Sequence, residues 1–378
     1  MNYLLKTMVT ASLMSLTLEA NAAALLVGSY TQGSSQGIYR YEFDPHSGLI
    51  GDKPVQVVKS ENPSWLVLSA DQHLLFAVNE LGDGKGRVSS FSLGPHGEIK
   101  PISQASSHGD DPTHASLSHD QRYLFVASYA ASSQPGGSLI ALPVARDGKL
   151  QPMVQQERHR PSGVNPERQA TAHVHSAVVS PDGRYLYASD LGADKVFIYR
   201  YDGANTTQPL TPATPASVSL PPGSGPRHLL FDALGRHAYL TLEMSAEVVT
   251  FDVQDGALLE RQRLPLTDSD KADAKAGGAV HLSADGRFLY VSNRGTANEI
   301  VVFAVAEKTG RLTFVQRRSV EGDHPREFTI DPSGNFLLVA NQKSNQIVVM
   351  QRDPREGTLG KTVQSLPIDA PSDLKFLE

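Results

Sequence analysis

The chain has 378 residues and a formal net charge of −6, which excludes a general basic surface for nucleic acid or anionic lipid. It contains no cysteine, so disulfides, thiolate zinc sites and cysteine nucleophiles are excluded as well. A hydrophobic fraction of 40% suits a globular protein, and a chain of this length would ordinarily divide into about two or three domains.

In chain order, the N-terminus comes first. Lys6 supplies a short positive region, "MVTASLMSLTL" is an apolar stretch too short to remain as a spanning helix, and Ala20-Asn21-Ala22 places small residues where a signal peptidase reads. Residues 1–22 are therefore expected to be a signal peptide cleaved after Ala22. The mature chain is expected in the periplasm, soluble and free of the membrane.

The rest of the chain repeats with a period of roughly fifty residues, which replaces the multi-domain expectation with one continuous fold. After a partial unit, "LLVGSYTQGSSQGIYRYEFDPHSGLI", the segments "NPSWLVLSADQHLLFAVNE", "DPTHASLSHDQRYLFVASY", "HVHSAVVSPDGRYLYASDL", "GPRHLLFDALGRHAYLTLE", "GAVHLSADGRFLYVSNR" and "HPREFTIDPSGNFLLVANQ" share one template. Each reads as strand, tight turn, strand. A second hairpin follows each, as in "VVTFDVQDGALLE", so a unit has four antiparallel strands, A to D. The C-terminal "APSDLKF" matches "NPSWLVL", a strand A, and the partial N-terminal unit supplies strands B to D. The expected fold is therefore all-β: residues 23–378 form a seven-bladed β-propeller whose last blade is closed by both chain termini.

In such a blade the start of A and the end of B share one end of the central channel. The A–B turns at the opposite end are uniformly short. The longer segments "QQERHRPSGVNPERQATA", "LTDSDKADAKAG" and "AASSQPGGS" gather at the first end, which suggests a binding face. The residues opening strand A are Ser64, Thr113, His175, Arg227, Gly278, Arg326 and Ser372. Those closing strand B are Glu80, Tyr129, Leu191, Glu243, Arg294, Gln342 and Tyr30. Equivalent positions form a ring, so a rim carrying His175, Arg227, Glu243, Arg294 and Arg326 is expected, with Glu80, Tyr30, Tyr129 and Gln342 around it. His173 shares the side of His175, and it is expected, with Arg326, Glu80, Tyr129, Gln342 and Tyr30, to contact the substrate. His114 and His228 sit one position further, where pleating should turn them toward packing or inter-blade hydrogen bonds. Each charge alone also suits a structural ion pair; their convergence at the end with the long loops favours a site.

Arginines around a channel mouth suit an anionic ligand or a developing oxyanion, and a Glu or His beside them suits base catalysis on water. That combination fits hydrolysis of a lactone or activated ester, and equally the binding of a carboxylate or phosphate. His173-x-His175 has no evident further ligands for a metal, and neither metal nor cofactor is expected.

Four of these segments, "HVHSAVVSPDGRYLYASDLGADKVFIY", "GPRHLLFDALGRHAYLTLE", "VHLSADGRFLYVSNRGTANEIVVF" and "HPREFTIDPSGNFLLVANQKSNQIVVM", resemble the seven-bladed-propeller lactonase family, which includes the propeller-type 6-phosphogluconolactonases and the fungal carboxymuconate-lactonizing enzymes. The resemblance covers essentially the whole mature chain. By motif, the His, Glu and two Arg credited to the lactonizing enzymes fall on His175, Glu243 of "TLE", Arg227 of "GPRH" and Arg294 of "SNRG"; Arg326 of "HPREF" also looks family-typical. The resemblance implies a monomeric hydrolase of a sugar δ-lactone. Here His175 or Glu243 serves as base, Arg227 and Arg294 stabilise the oxyanion, and Arg326 orients the substrate. The signal sequence departs from the cytosolic phosphogluconolactonases and favours an unphosphorylated aldonolactone of the glucono-1,5-lactone type. The alternative is a non-catalytic propeller that binds a protein or an anionic metabolite.

Overall fold

The computed structural model describes residues 22–131 and 134–377. The signal-peptide reading therefore lies outside the described residues, apart from Ala22. Seven antiparallel sheets are arranged as blades, six of them with four strands joined in chain order. The seven inner strands are Pro63–Leu68, Pro112–Leu117, Val174–Val179, Pro226–Phe231, Gly277–Leu282, Pro325–Ile330 and Pro371–Leu377.

The last blade joins the two ends of the chain. Pro371–Leu377 pairs with Ala23–Ser29, which pairs with Gly37–Asp44. The outer edge of this blade differs from the four-strand expectation. Two short strands, Leu49–Ile50 and Gln56–Lys59, both pair with Gly37–Asp44, giving five strands in all. Between them lies Pro54, which has no N–H to give, and only the flanking Gly51 and Val55 nitrogens reach the carbonyls of Glu42 and Arg40.

The core lies between blades. Strand B of each blade is covered on both faces, so "YLYASD", "FLYVSN" and "FLLVAN" are buried along their whole length and read as continuous apolar runs rather than as alternation. The blades meet through mixed clusters, such as Leu25, Val27, Phe43 and Leu374 of the closing blade with Phe336, Leu338 and Val349 of its neighbour. The A–B turns are held by a repeated hydroxyl-to-carboxylate bond, at 2.6 Å in Ser69–Asp71, Ser180–Asp182 and Ser283–Asp285. Each turn ends in the left-handed region, at Gly183 and Gly286 (φ 72° and 70°) or at Gln121 (φ 59°).

One irregularity recurs in all seven blades. Just inside its first pair with strand B, strand A carries one extra residue, a β-bulge. In the blade opening at Pro63, for example, Pro63 faces Asn79 and Trp65 faces Val78, leaving Ser64 unpaired. The same step falls at Thr113, His175, Arg326 and Ser372, and within Arg227–His228 and Gly278–Ala279. The bulge frees the rim-facing residues from the ladder.

It also breaks the simple alternation behind the reading of His114 and His228. His114 does accept an inter-blade bond, at 3.3 Å from the Ala177 N–H. Yet both imidazoles remain near the axis: His114 stacks on Trp65, His228 meets Trp65 edge-on, and the His228 ring centre is 5.3 Å from that of His175.

Leu374 is 1% exposed and links the C-terminal strand to the N-terminal one. Leu374→Ala is expected to lower stability by about 2–5 kcal/mol, measured by urea denaturation. A loss below about 1 kcal/mol would mean that the C-terminal strand is not integral to the ring.

Candidate active site

Glu243 follows strand His237–Leu242, and its backbone N–H is fixed to the Gly225 carbonyl at 2.7 Å. Its side chain is the hub of the rim. One oxygen accepts from Arg168 Nη2 at 2.6 Å, and the other lies 2.8 Å from Arg294 Nη2, 3.3 Å from Arg227 Nε and 3.7 Å from His175 Nε2. Burial would raise the Glu243 pKa, but Arg294, Arg227 and Arg168 outweigh it and hold the carboxyl well below the usual range. Glu243 is therefore a fixed anion whose oxygens are already occupied.

The guanidiniums are held in turn. Arg227 is 1% exposed, and burial together with Arg294 pushes its pKa down to about 9, still cationic at neutral pH. Its Nε lies within ion-pair distance of Glu243 but makes no hydrogen bond of good geometry. Arg294 donates to the Gly277 and Ala276 carbonyls at 3.0 and 3.3 Å, which orients it toward the axis.

His175 is in the opposite state. Burial, then Arg227, drives its pKa well below the ordinary imidazole value, so the ring is neutral. Its Nδ1 has no hydrogen-bond partner. Among the described residues, three other buried rim groups share that condition: Arg227 Nε, Gln342 Oε1 and Ser372 Oγ. Buried polar atoms without partners are uncommon, and their gathering on one rim marks a place where a ligand or water supplies the missing bonds.

A second cluster lies across the channel. Glu80 accepts from Tyr30 Oη at 2.7 Å, Ser64 Oγ at 2.5 Å and Arg326 Nη2 at 2.9 Å. The Arg326 guanidinium also sits over the Tyr30 ring, 5.1 Å from its centre, and approaches Thr113 Oγ1 at 3.4 Å. Arg326 thus spans the channel from one wall to the other. Burial would lower its pKa, but Tyr30 and Glu80 raise it.

The structure thus brings His175, Arg227, Glu243 and Arg294 together, and sets Arg326, Glu80 and Tyr30 opposite them. Tyr129 joins the first group, since its hydroxyl accepts from Arg168 at 3.0 Å. Gln342 contributes a free oxygen. His173, expected to contact substrate, stands one layer back: its Nδ1 bonds the Tyr129 carbonyl at 2.7 Å and its ring stacks on Tyr129, which it steadies.

Two rim residues escaped the sequence reading. Arg168 comes from the long link before strand Val174–Val179, which no other unit shares. Its backbone is pinned by Asn165 Oδ1, and the neighbouring Gln169 side chain donates to the Leu191 carbonyl. His324, beside Arg294 at 3.4 Å, has its pKa lowered to about 2 by burial and then by Arg294. The signal for Arg168 was the length of the link itself; that for His324 was its place in "HPREF". A hollow of about 730 Å³, bordered by Asp71, Arg122 and Arg146, lies away from these groups and has no comparable convergence of buried charge.

Comparison with known proteins follows this geometry. A family model described as "Lactonase, 7-bladed beta-propeller" matches residues 24–376. The 6-phosphogluconolactonase of Bacillus subtilis is 33% identical over 355 residues, 93% of this chain and 97% of that protein. A periplasmic gluconolactonase structure from Pseudomonas aeruginosa superposes with a TM-score of 0.92 at 51% identity, covering 95% of this chain and 99% of the other. A putative 6-phosphogluconolactonase from Bacteroides fragilis gives a TM-score of 0.87 at 34% identity, with coverage of 96% and 99%.

The Glu243 hub also bears on stability. Glu243→Gln leaves buried guanidiniums without their anion and is expected to cost about 3–5 kcal/mol at neutral pH. Because the folded-state pKa of Glu243 is depressed, that contribution is complete above the unfolded value of about 4.3 and is lost as pH falls through the folded value. Chemical denaturation of both proteins from pH 7 to pH 3 should show the difference shrinking; a constant difference would contradict the assignment.

Proposed function

The chain belongs to the seven-bladed β-propeller lactonase family, and from that membership and the rim geometry we propose that it hydrolyses an unphosphorylated aldonolactone of the glucono-1,5-lactone type. The observation that carries the reading is the pairing of a buried, neutral His175 having a free ring nitrogen with Glu243, an anion locked among guanidiniums.

Water attacks the lactone carbonyl, and its proton passes to His175 as the new C–O bond forms, a role worth about a hundred- to ten-thousand-fold in rate. Glu243, 3.7 Å away, stabilises the imidazolium. The carbonyl oxygen becomes an oxyanion facing Arg227 and Arg294, at about 3 kcal/mol for each such donor. As that charge develops it offsets the cationic field that depresses His175, so the ring gains basicity when the proton arrives. The tetrahedral intermediate then collapses. The ring C–O bond breaks, and the leaving alkoxide takes the proton from His175, giving the open-chain aldonic acid.

The preference for an unphosphorylated ring follows from how the cations are used. Arg168, Arg227 and Arg294 surround Glu243, and Arg326 is engaged by Glu80. A phosphate dianion would have to compete with both carboxylates. Gln342 Oε1 and Ser372 Oγ, by contrast, are neutral groups suited to sugar hydroxyls. Tyr30, Glu80, Arg326 and Tyr129 frame the remainder of the ring.

Purified protein should open glucono-1,5-lactone faster than its 6-phosphate, and His175→Gln should lower kcat by about a hundredfold or more. The kcat/KM profile should show no acid limb near the ordinary imidazole pKa of about 6.5, because the base is already neutral there. A lactone that opens no faster than in buffer would leave the rim as a binding site only. The reading further places the protein in the periplasm after removal of residues 1–22. Mass spectrometry of the exported chain should find Ala23 as its first residue, and an intact Met1 would contradict export by cleavage.

A further inference from the structure

The channel has a second mouth, at the end of the A–B turns, and it holds a cavity of about 440 Å³. Glu243, His175, Arg294 and Glu80 do not line it. Its inner wall is made of Trp65, His114 and His228, each of which immediately follows a rim residue (Ser64, Thr113 and Arg227). Trp65 and His114 stack at 4.3 Å, and His228 meets Trp65 edge-on at 5.2 Å. Burial drives the His114 pKa down to about 3, and burial with Arg227 beside it holds the His228 pKa well below its usual value, so both rings are uncharged aromatic walls. Leu68 and Leu230 extend this apolar lining outward.

The charged groups here take no part in the rim chemistry. Lys375 Nζ lies 2.9 Å from Asp373 and 4.5 Å from the centre of the Trp65 ring, and His281 bonds Glu327 at 2.6 Å. Both carboxylates are held by backbone N–H groups. Asp373 accepts the Leu66 and Leu374 N–H groups at 2.6 and 2.8 Å, and Glu327 accepts that of Phe328 at 2.9 Å. Their side chains are 0% and 2% exposed, against 23% for Lys375 and 30% for His281. The cavity is lined by the basic member of each pair and also by Glu327, whose carboxylate is matched by His281, while Asp373 does not line it; Lys375 has given one of its three donors to Asp373.

A largely apolar pocket of this size with a few convergent polar groups has the form of a small-molecule site. We propose that the mouth opposite the catalytic rim binds a small molecule with an apolar body and a single carboxylate head, its body against Trp65 and the two imidazoles and its head on Lys375.

Trp65 is the only tryptophan in the chain, so its fluorescence reports this cavity directly. Titration of the full mature chain with decanoate should give a saturable change in emission, with decanol and decylamine at least about tenfold weaker. Lys375→Met should weaken decanoate by a similar factor. The double variant Lys375→Met, Asp373→Asn removes the ion pair without leaving a buried carboxylate unpaired, and it should behave alike. Glu243→Gln should bind decanoate as the unaltered protein does, whatever its activity on lactones. The proposal is overturned by an absence of saturation, by decanol binding as tightly as decanoate, by retention of binding in the double variant, or by displacement of decanoate with gluconate, which would place the ligand on the rim.

Discussion

The extra residue at the start of every inner strand is the constraint on which this molecule depends. A regular ladder would send successive side chains to opposite faces of each blade, into the packing between sheets. The bulge takes one residue per blade out of the ladder at the same height around the ring. The rim is thus a product of the repeat, while its chemistry comes from what occupies each slot: serine and threonine on one side, histidine and arginine on the other. The ring must be closed for these slots to converge, which is why pairing of the chain's two ends matters for the site as well as for the fold.

Electrostatics then set what the rim can do. Glu243 lets three guanidiniums approach one point and is held ionised by them, while burial, then Arg227, keeps His175 neutral. A carboxylate so surrounded orients and balances charge better than it abstracts a proton. A neutral imidazole with an open nitrogen suits the base role. In the proposed mechanism the base role therefore falls to His175 and the charge-balancing role to Glu243, two residues that sequence alone left interchangeable. Glu80 repeats the arrangement on the far wall with Arg326, so the cations around the channel are organised by carboxylates of the rim itself.

Much of this was legible in the chain. The repeated "DG"-type turns, the continuous apolar B strands and the split of one unit between the termini determine blade number and closure, and reading down the repeat puts His175, Arg227, Glu243 and Arg294 at equivalent heights. What escaped was non-repetitive or depended on the bulge. Arg168 lies in a link with no counterpart in other units, so no register could place it. His114 and His228 were assigned by pleating, and the bulge beside His114 and around His228 keeps their rings near the axis. Pro54 lies between two short outer strands of the closing blade, where the pattern counted a single strand D. The Glu80–Arg326 pair joins residues 246 positions apart, and both were read as separate substrate contacts.

The central claim is that the lactone is bound and opened at the rim. A crystal structure of the Glu243→Gln protein soaked with gluconate tests it most directly. The account predicts the product carboxylate against Arg227 and Arg294, with the sugar hydroxyls toward Gln342, Ser372 and the Glu80 wall. Gluconate bound only elsewhere, with the rim unchanged, would contradict it.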